Sequence, residues 1–105
     1  MATISAEAKI LTLINVFTVA REKQDELAGL LIDATNKVMK HLPGFISASI
    51  HKSFDGTKVV NYAQWRSRED FESMTRNSEA APHMKAAGEL AKFDPILCEV
   101  SDSIG

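Results

Sequence analysis

Apolar and polar positions recur along this chain with two periods, and each stretch carries the period of one kind of element. Leu11–Val19 places Leu11, Leu13, Asn15, Phe17 and Val19 on one face and Ile14 and Val16 on the other, a strand that water can cover on neither side. From Arg21–Asp25 the spacing changes to three and four. Leu27, Leu30, Leu31, Ala34 and Val38 then form one stripe of an amphipathic helix. Asp25 and Glu26 fall early in that helix and Lys37, Lys40 and His41 late, the sense the helix dipole favours. Pro43-Gly44 ends it.

Phe45–Ser53 returns to period two, with Ile46, Ala48 and Ile50 on one side and Phe45, Ser47, Ser49 and His51 on the other. Asp55-Gly56 marks a short turn, so a hairpin to a third strand, Val59–Trp65, is predicted. Ser67 caps the next helix, with Asp70 as a shortened capping-box acid and Phe71 and Met74 on the apolar side. Asn77-Ser78 makes a break, and a second helical piece runs from about Glu79 to Lys92, with Pro82 in its first turn. Asp94-Pro95 stops it, and Ile96–Val100 is a last short strand. Residues 1–9 read as a loosely held polar arm and Ser101–Gly105 as a tail.

Strand, helix, strand, strand, helix, strand is the split βαβ plan. It predicts a single α+β, ferredoxin-like domain over 1–105, its core about 11–100, with a four-stranded antiparallel sheet and both helices on one face. The helices cover only one side. Ile14, Val16, Ile46, Ala48, Ile50, Val60 and Tyr62 would leave an apolar patch on the other, so a homodimer packing sheet against sheet is expected.

The helix-covered face is then expected to carry Ser47, Ser49 and His51 from strand two and Asn61, Ala63 and Trp65 from strand three. Small and polar side chains under a helix layer leave volume, and volume lined by polar groups is a ligand site. Asn61 and Trp65 share one face roughly 13 Å apart by backbone, an amide and an indole suited to a flat polar ring. Asn15 interrupts an apolar row, where it must find hydrogen bonds or cost about 1–3 kcal/mol.

Composition narrows the partners. A formal net charge of −2 provides no basic stripe, so neither nucleic acid nor an anionic membrane is an expected partner. One cysteine, Cys98, excludes an intrachain disulfide. No apolar run approaches the roughly 20 residues of a membrane helix, and Met1–Lys9 has no secretion-signal core, so a cytoplasmic protein is expected. No His-Glu cluster has metal-ligand spacing, and neither a glycine-rich phosphate loop nor a Ser-His-Asp arrangement can be argued.

Pro43-Gly44-Phe45, His51, Asp55-Gly56-Thr57 and the run Asn61-Tyr62-Ala63-Gln64-Trp65-Arg66-Ser67 resemble the antibiotic biosynthesis monooxygenase family, over roughly Leu11 to Val100. The resemblance implies a dimeric α+β barrel. It also implies one of several activities: oxidation of anthrones or quinols to quinones by molecular oxygen with no metal or flavin, or haem degradation as in some relatives. Carried over by residue, Asn61 and Trp65 match the family's pocket amide and indole, and His51 a pocket histidine of the polyketide-tailoring members. Their tyrosine six residues past the tryptophan is Phe71 here, and their helix arginine falls at Lys85, which keeps the charge without the planar fork. Haem-degrading relatives have a strand-one asparagine, which Asn15 fits, and an axial histidine near His83, but Met74 stands where their tryptophan would be.

The chain therefore predicts an oxygenase in which His51 takes a proton, Asn61 holds an oxyanion, and Trp65 and Phe71 clamp a ring, with Asn15, Ser49, Lys85, His83 and Met74 around it. Each residue also has a plainer role: Asn61 can satisfy the sheet, Trp65 can fill a core, and His51 can sit exposed at a strand end. A non-catalytic binding module, or a haem-degrading enzyme, uses the same fold.

Overall fold

The structure, a computed structural model, describes residues 2–7 and 9–105; Met1 and Ala8, both in the segment read as an N-terminal arm, lie outside the described residues. Strand β1 (Leu11–Val19) leads through a 3-10 turn at Arg21–Lys23 into helix α1 (Gln24–Lys37). Strands β2 (Phe45–Lys52) and β3 (Lys58–Trp65) form the hairpin, followed by α2 (Arg68–Thr75), α3 (Ala81–Leu90) and β4 (Ala91–Cys98). All pairings are antiparallel, and the order across the sheet is β2-β3-β1-β4. This is the predicted ferredoxin-like α+β plan.

Residues directly opposite one another share a face, so the register sorts the sheet into rows. On the helix side the rows are Phe45, Trp65, Leu11; then Ala48, Ala63, Leu13, Leu97; then Ile50, Asn61, Asn15, Pro95; then Lys52, Val59, Phe17, Phe93. The buried apolar residues divide into two clusters. Leu13, Val38, Ala63, Trp65, Met74 and Ala80 make one, and Phe17, Val19, Leu27, Ala28, Val59 and Ala87 the other. The asparagine row runs between them.

Strand β2 departs from the expected alternation. A bulge between Phe45 and Ser47 adds one residue on the β2 side and inverts the parity of everything after it. Ala48 and Ile50 therefore face the helices, while Ser47, Ser49 and His51 lie beside Gln64, Tyr62 and Val60 on the outer face. The outer face is correspondingly less apolar than predicted, with Ile14, Val16, Val60 and Tyr62 half-buried and Ile96 exposed. Across it Ser47 Oγ donates to Gln64 Oε1 at 2.7 Å, and Gln64 Nε2 donates to the Thr3 carbonyl at 2.8 Å. The N-terminal segment is thus anchored to a wholly buried glutamine at Thr3.

The last strand also differs. It begins at Ala91, and Asp94-Pro95 lies inside it rather than ahead of it. β4 is an edge strand paired only with β1, where a residue lacking an N–H can sit without breaking a central ladder. Helix α3 is shorter in consequence, ending at Leu90. Among the described residues no helix is long and apolar enough to cross a membrane.

Candidate functional site

Between the sheet and the three helices lies a cavity of about 150 Å³. Its floor is Leu13, Asn15 and Phe17 of β1, Asn61, Ala63 and Trp65 of β3, and Phe45 and Ala48 of β2. Its roof is Leu31, Ala34 and Thr35 of α1, Phe71, Met74 and Thr75 of α2, and His83, Met84 and Ala87 of α3; Phe93 and Pro95 of β4 close one side. The space exists because four lining positions, Ala34, Ala48, Ala63 and Ala87, carry only a methyl group where facing elements could have met. The small strand-two residue below the roof is Ala48, not the expected Ser49.

Asn15 and Asn61 stand opposite each other on adjacent strands at the centre of this floor. The carboxamide oxygen of each is buried with no hydrogen-bond partner among the described residues. The two threonines of the roof are different: Thr35 Oγ1 donates to Leu31 O at 2.8 Å and Thr75 Oγ1 to Glu72 O at 2.6 Å, both within their own helices. The unspent hydrogen-bonding capacity of the cavity is therefore concentrated in two amides and one imidazole, in a lining that is otherwise mainly apolar.

Trp65 is held from two sides. Phe45 meets it edge-on with centroids 5.5 Å apart, and Phe71 at 6.3 Å with the planes at 70°. Local sequence fixes both contacts. Gly44 adopts φ +82°, a left-handed conformation glycine tolerates, and Asp70 packs where a Cβ would stand. The Gly44 carbonyl accepts from Arg66 N at 2.7 Å, which draws the entry to β2 against the exit from β3. Ser67 Oγ accepts from Asp70 N at 3.1 Å to start α2, and Asp70 Oδ2 in turn accepts from Ser67 Oγ and Arg66. That capped turn sets Phe71 over the indole.

A cavity of this composition, floored by this asparagine and tryptophan, is accompanied by a match at the level of sequence: the profile of the antibiotic biosynthesis monooxygenase family aligns with residues 10–90. The chain belongs to that family. Tetracenomycin-F1 monooxygenase of Streptomyces glaucescens is 48% identical over 105 residues, all of this chain and 94% of that protein. Among solved structures, a monooxygenase from the gene ActVA-Orf6 of Streptomyces coelicolor, in complex with nanaomycin D, superposes with a TM-score of 0.82 at 27% identity, covering 90% of each chain. SnoaB, a cofactor-independent oxygenase from Streptomyces nogalater, superposes in a variant form with a TM-score of 0.83 at 20% identity, covering 92% of this chain and 98% of its own, a likeness of fold.

Within this family member the sequence-predicted site residues separate into two groups. Asn61, Trp65, Phe71, Asn15, Met74 and His83 all line the cavity. His51, Ser49 and Lys85 do not. The bulge turns Ser49 and His51 to the outer face, where His51 is exposed with Nδ1 3.2 Å from its neighbour Ser49 O. Lys85 is exposed on α3, away from the lining side that carries Met84 and Ala87. Sequence reasoning missed Thr35, Phe93 and Pro95. Thr35 follows Ala34 on the buried stripe and four residues after Leu31, a signal that was present; Phe93 and Pro95 were hidden by the misplaced start of β4.

Haem fits this lining poorly. Asn15 and His83 both line the cavity, but among the described residues no lysine or arginine lines the walls to pair with two carboxylates, and Met74 lines it where the resemblance would place an indole.

Proposed function

We propose that this protein is a monooxygenase that oxidises a hydroxylated polycyclic aromatic of the anthrone or quinol type to a quinone with molecular oxygen, without metal or flavin. The observation that carries the reading is the pair of asparagine side chains, each with an unpartnered carboxamide oxygen, at the floor of an apolar cavity. A phenolic or enolic O–H placed between Asn15 and Asn61 would donate to one of these oxygens, and once it is ionised the amide N–H groups would donate to it, bonds that gain strength as negative charge develops. Preorganised donors of this kind contribute about 3 kcal/mol each where water is excluded. Trp65, Phe71 and Phe45 supply apolar walls for the fused rings, and Phe93 and Pro95 extend them along β4.

The reaction balances without a further reductant. In an anthrone the ring methylene loses its two hydrogens, and in a phenolic ring the O–H and the oxygenated C–H lose one each; one oxygen atom of O2 becomes the new carbonyl, and the other leaves as water carrying both hydrogens. The substrate anion supplies the electrons; the protein's part is deprotonation, orientation and exclusion of water. The relatives described above, with their named chemistries on tetracenomycin F1 and their nanaomycin D complex, support this substrate class. We also propose that the working form is a homodimer joined through the outer sheet face, where Ile14, Val16, Val60, Tyr62 and Ile96 have no helix above them.

The test is isotope labelling. Purified protein, treated with chelator and given dithranol under 18O2, should yield a quinone carrying one labelled oxygen, with the second label in water. Saturable binding without any labelled product would assign the cavity to ligand storage or sensing instead.

A further inference from the structure

The sequence contains three histidines, and His83 alone enters the cavity floored by Asn15 and Asn61. His51 lies on the opposite surface, and His41 is exposed beyond the end of α1. Among the described residues no other lining residue has a titratable side chain; the rest are apolar, or are asparagine and threonine.

The chain builds this position deliberately around the break between α2 and α3. Asn77 Oδ1 accepts from the backbone N–H groups of Glu79 and Ala80 at 2.8 and 3.1 Å, fixing the turn. Ala80 is fully buried and anchors it. Pro82 occupies the first turn of α3, where its missing N–H costs nothing, and His83 N donates to Ala80 O at 3.1 Å. His83 therefore projects from the first turn of α3 on the side that carries Met84 and Ala87. It is half-buried, placed to touch a ligand and still exchange protons with solvent.

We propose that His83 is the proton acceptor of the site, the role that the family resemblance implies for His51. The inference rests on the oxygenase reading for its substrate class. In the step it performs, an imidazole nitrogen takes one proton from the substrate's acidic C–H or O–H. The electron pair of that bond stays on the ring system and delocalises onto the oxygen held by Asn15 and Asn61. Nothing is oxidised at this stage. The anion then bonds to oxygen at the carbon being oxygenated, and the imidazolium returns its proton to the outer oxygen, giving a hydroperoxide; loss of the second ring hydrogen as a proton breaks the O–O bond, leaving the carbonyl on the ring and, with that proton, water. An imidazole suits the task because a ring nitrogen can accept the proton and hold it until it is returned.

The test uses dithranol with oxygen excluded, so that proton transfer is seen without turnover. Wild-type protein at neutral pH should convert bound dithranol to its coloured anion in saturable fashion. His83→Ala and His83→Gln should each lower the bound anion at least about tenfold, at an occupancy shown equal by quenching of Trp65 fluorescence. Added imidazole should restore the anion in His83→Ala only, an effect that loss of folding would not produce. Equal anion in all three proteins, or none in wild type at full occupancy, overturns the assignment. In air the two claims separate. Anion without oxygen consumption would retain His83 as proton acceptor and remove the oxygenase reading. Oxygen consumption at one rate in all three proteins would retain the oxygenase and remove His83.

Discussion

Asn15 and Asn61 are cross-strand partners on β1 and β3, and the buried carboxamide oxygen of each lacks any partner among the described residues. A buried polar atom left so costs about 1–3 kcal/mol. Two of them side by side, in a cavity floor whose other residues are apolar, weaken the fold at one place. A ligand hydroxyl that donates to one of these oxygens and accepts from the neighbouring amide N–H recovers part of the cost.

Replacing one of these amides by an apolar side chain of its shape should stabilise the free protein and disable it. Asn61→Leu should raise the melting temperature by several degrees, since about 1 kcal/mol moves a domain of this size by roughly 4–8 °C. It should lower kcat/KM for dithranol about 100-fold or more. Thermal melts and oxygen-electrode kinetics on the same preparations decide it; a variant that is both less stable and fully active would show the amide to be structural.

Trp65 calls for a different substitution. It is 2% exposed and wedged between Phe45 and Phe71, so Trp65→Ala should cost about 3–5 kcal/mol in urea unfolding and confuse stability with chemistry. Trp65→Phe should cost about 1–2 kcal/mol and still fold. Its loss of rate at saturating substrate then reports the indole's part. A cost under 1 kcal/mol for the alanine variant would mean the indole is not held as described.

Gly44 should not accept a side chain. A Cβ there would collide with the Asp70 carboxylate and sit at φ +82°, so Gly44→Ala should cost about 1–3 kcal/mol or more. Gly29, exposed on α1 with open space around it, makes the opposite case: Gly29→Ala should gain about 0.5–1 kcal/mol. Chemical denaturation of the two variants tests the contrast.

What could be read in the chain follows from which elements obey a simple period. β1 is unbroken, so counting by two placed Asn15 beside Leu13 and Phe17, and the same count put Asn61 and Trp65 together on β3. β2 is not unbroken. One extra residue after Phe45 carried Ser49 and His51 to the wrong side, and with them the expected base. The apolar residues themselves held the clue: Phe45, Ala48 and Ile50 can all face inward only if the strand gains a residue between the first two. At β4, Asp94-Pro95 reads as a stop because proline ends helices. On an outermost strand it breaks no central pairing, which no local pattern reveals.

The hairpin turn supplies the pH dependence. Asp55 Oδ1 accepts from Thr57 N, Ser53 Oγ and Thr57 Oγ1 at 2.9, 2.7 and 2.8 Å. The backbone bond from Thr57 first, then the two hydroxyls, lower its pKa from 3.8 to about 2. A carboxylate depressed in the folded state stabilises fully above its unfolded value and loses that contribution as pH falls toward the folded one. The stability gap between wild type and Asp55→Ala should therefore be constant above about pH 5 and narrow as pH falls from 3.8 toward about 2. A gap that stayed flat to pH 2 in melting experiments would show that the turn bonds leave the carboxyl's ionisation unaltered.

The amide pair is best tested by a double-variant cycle on oxygen consumption, with chelator-treated protein and dithranol: wild type, Asn15→Ala, Asn61→Ala and both together. If the two side chains grip one substrate oxygen, each single change should slow uptake about 100-fold and the double change should fall well short of the product of the two. Uptake that proceeds at the wild-type rate in all three variants would contradict the account.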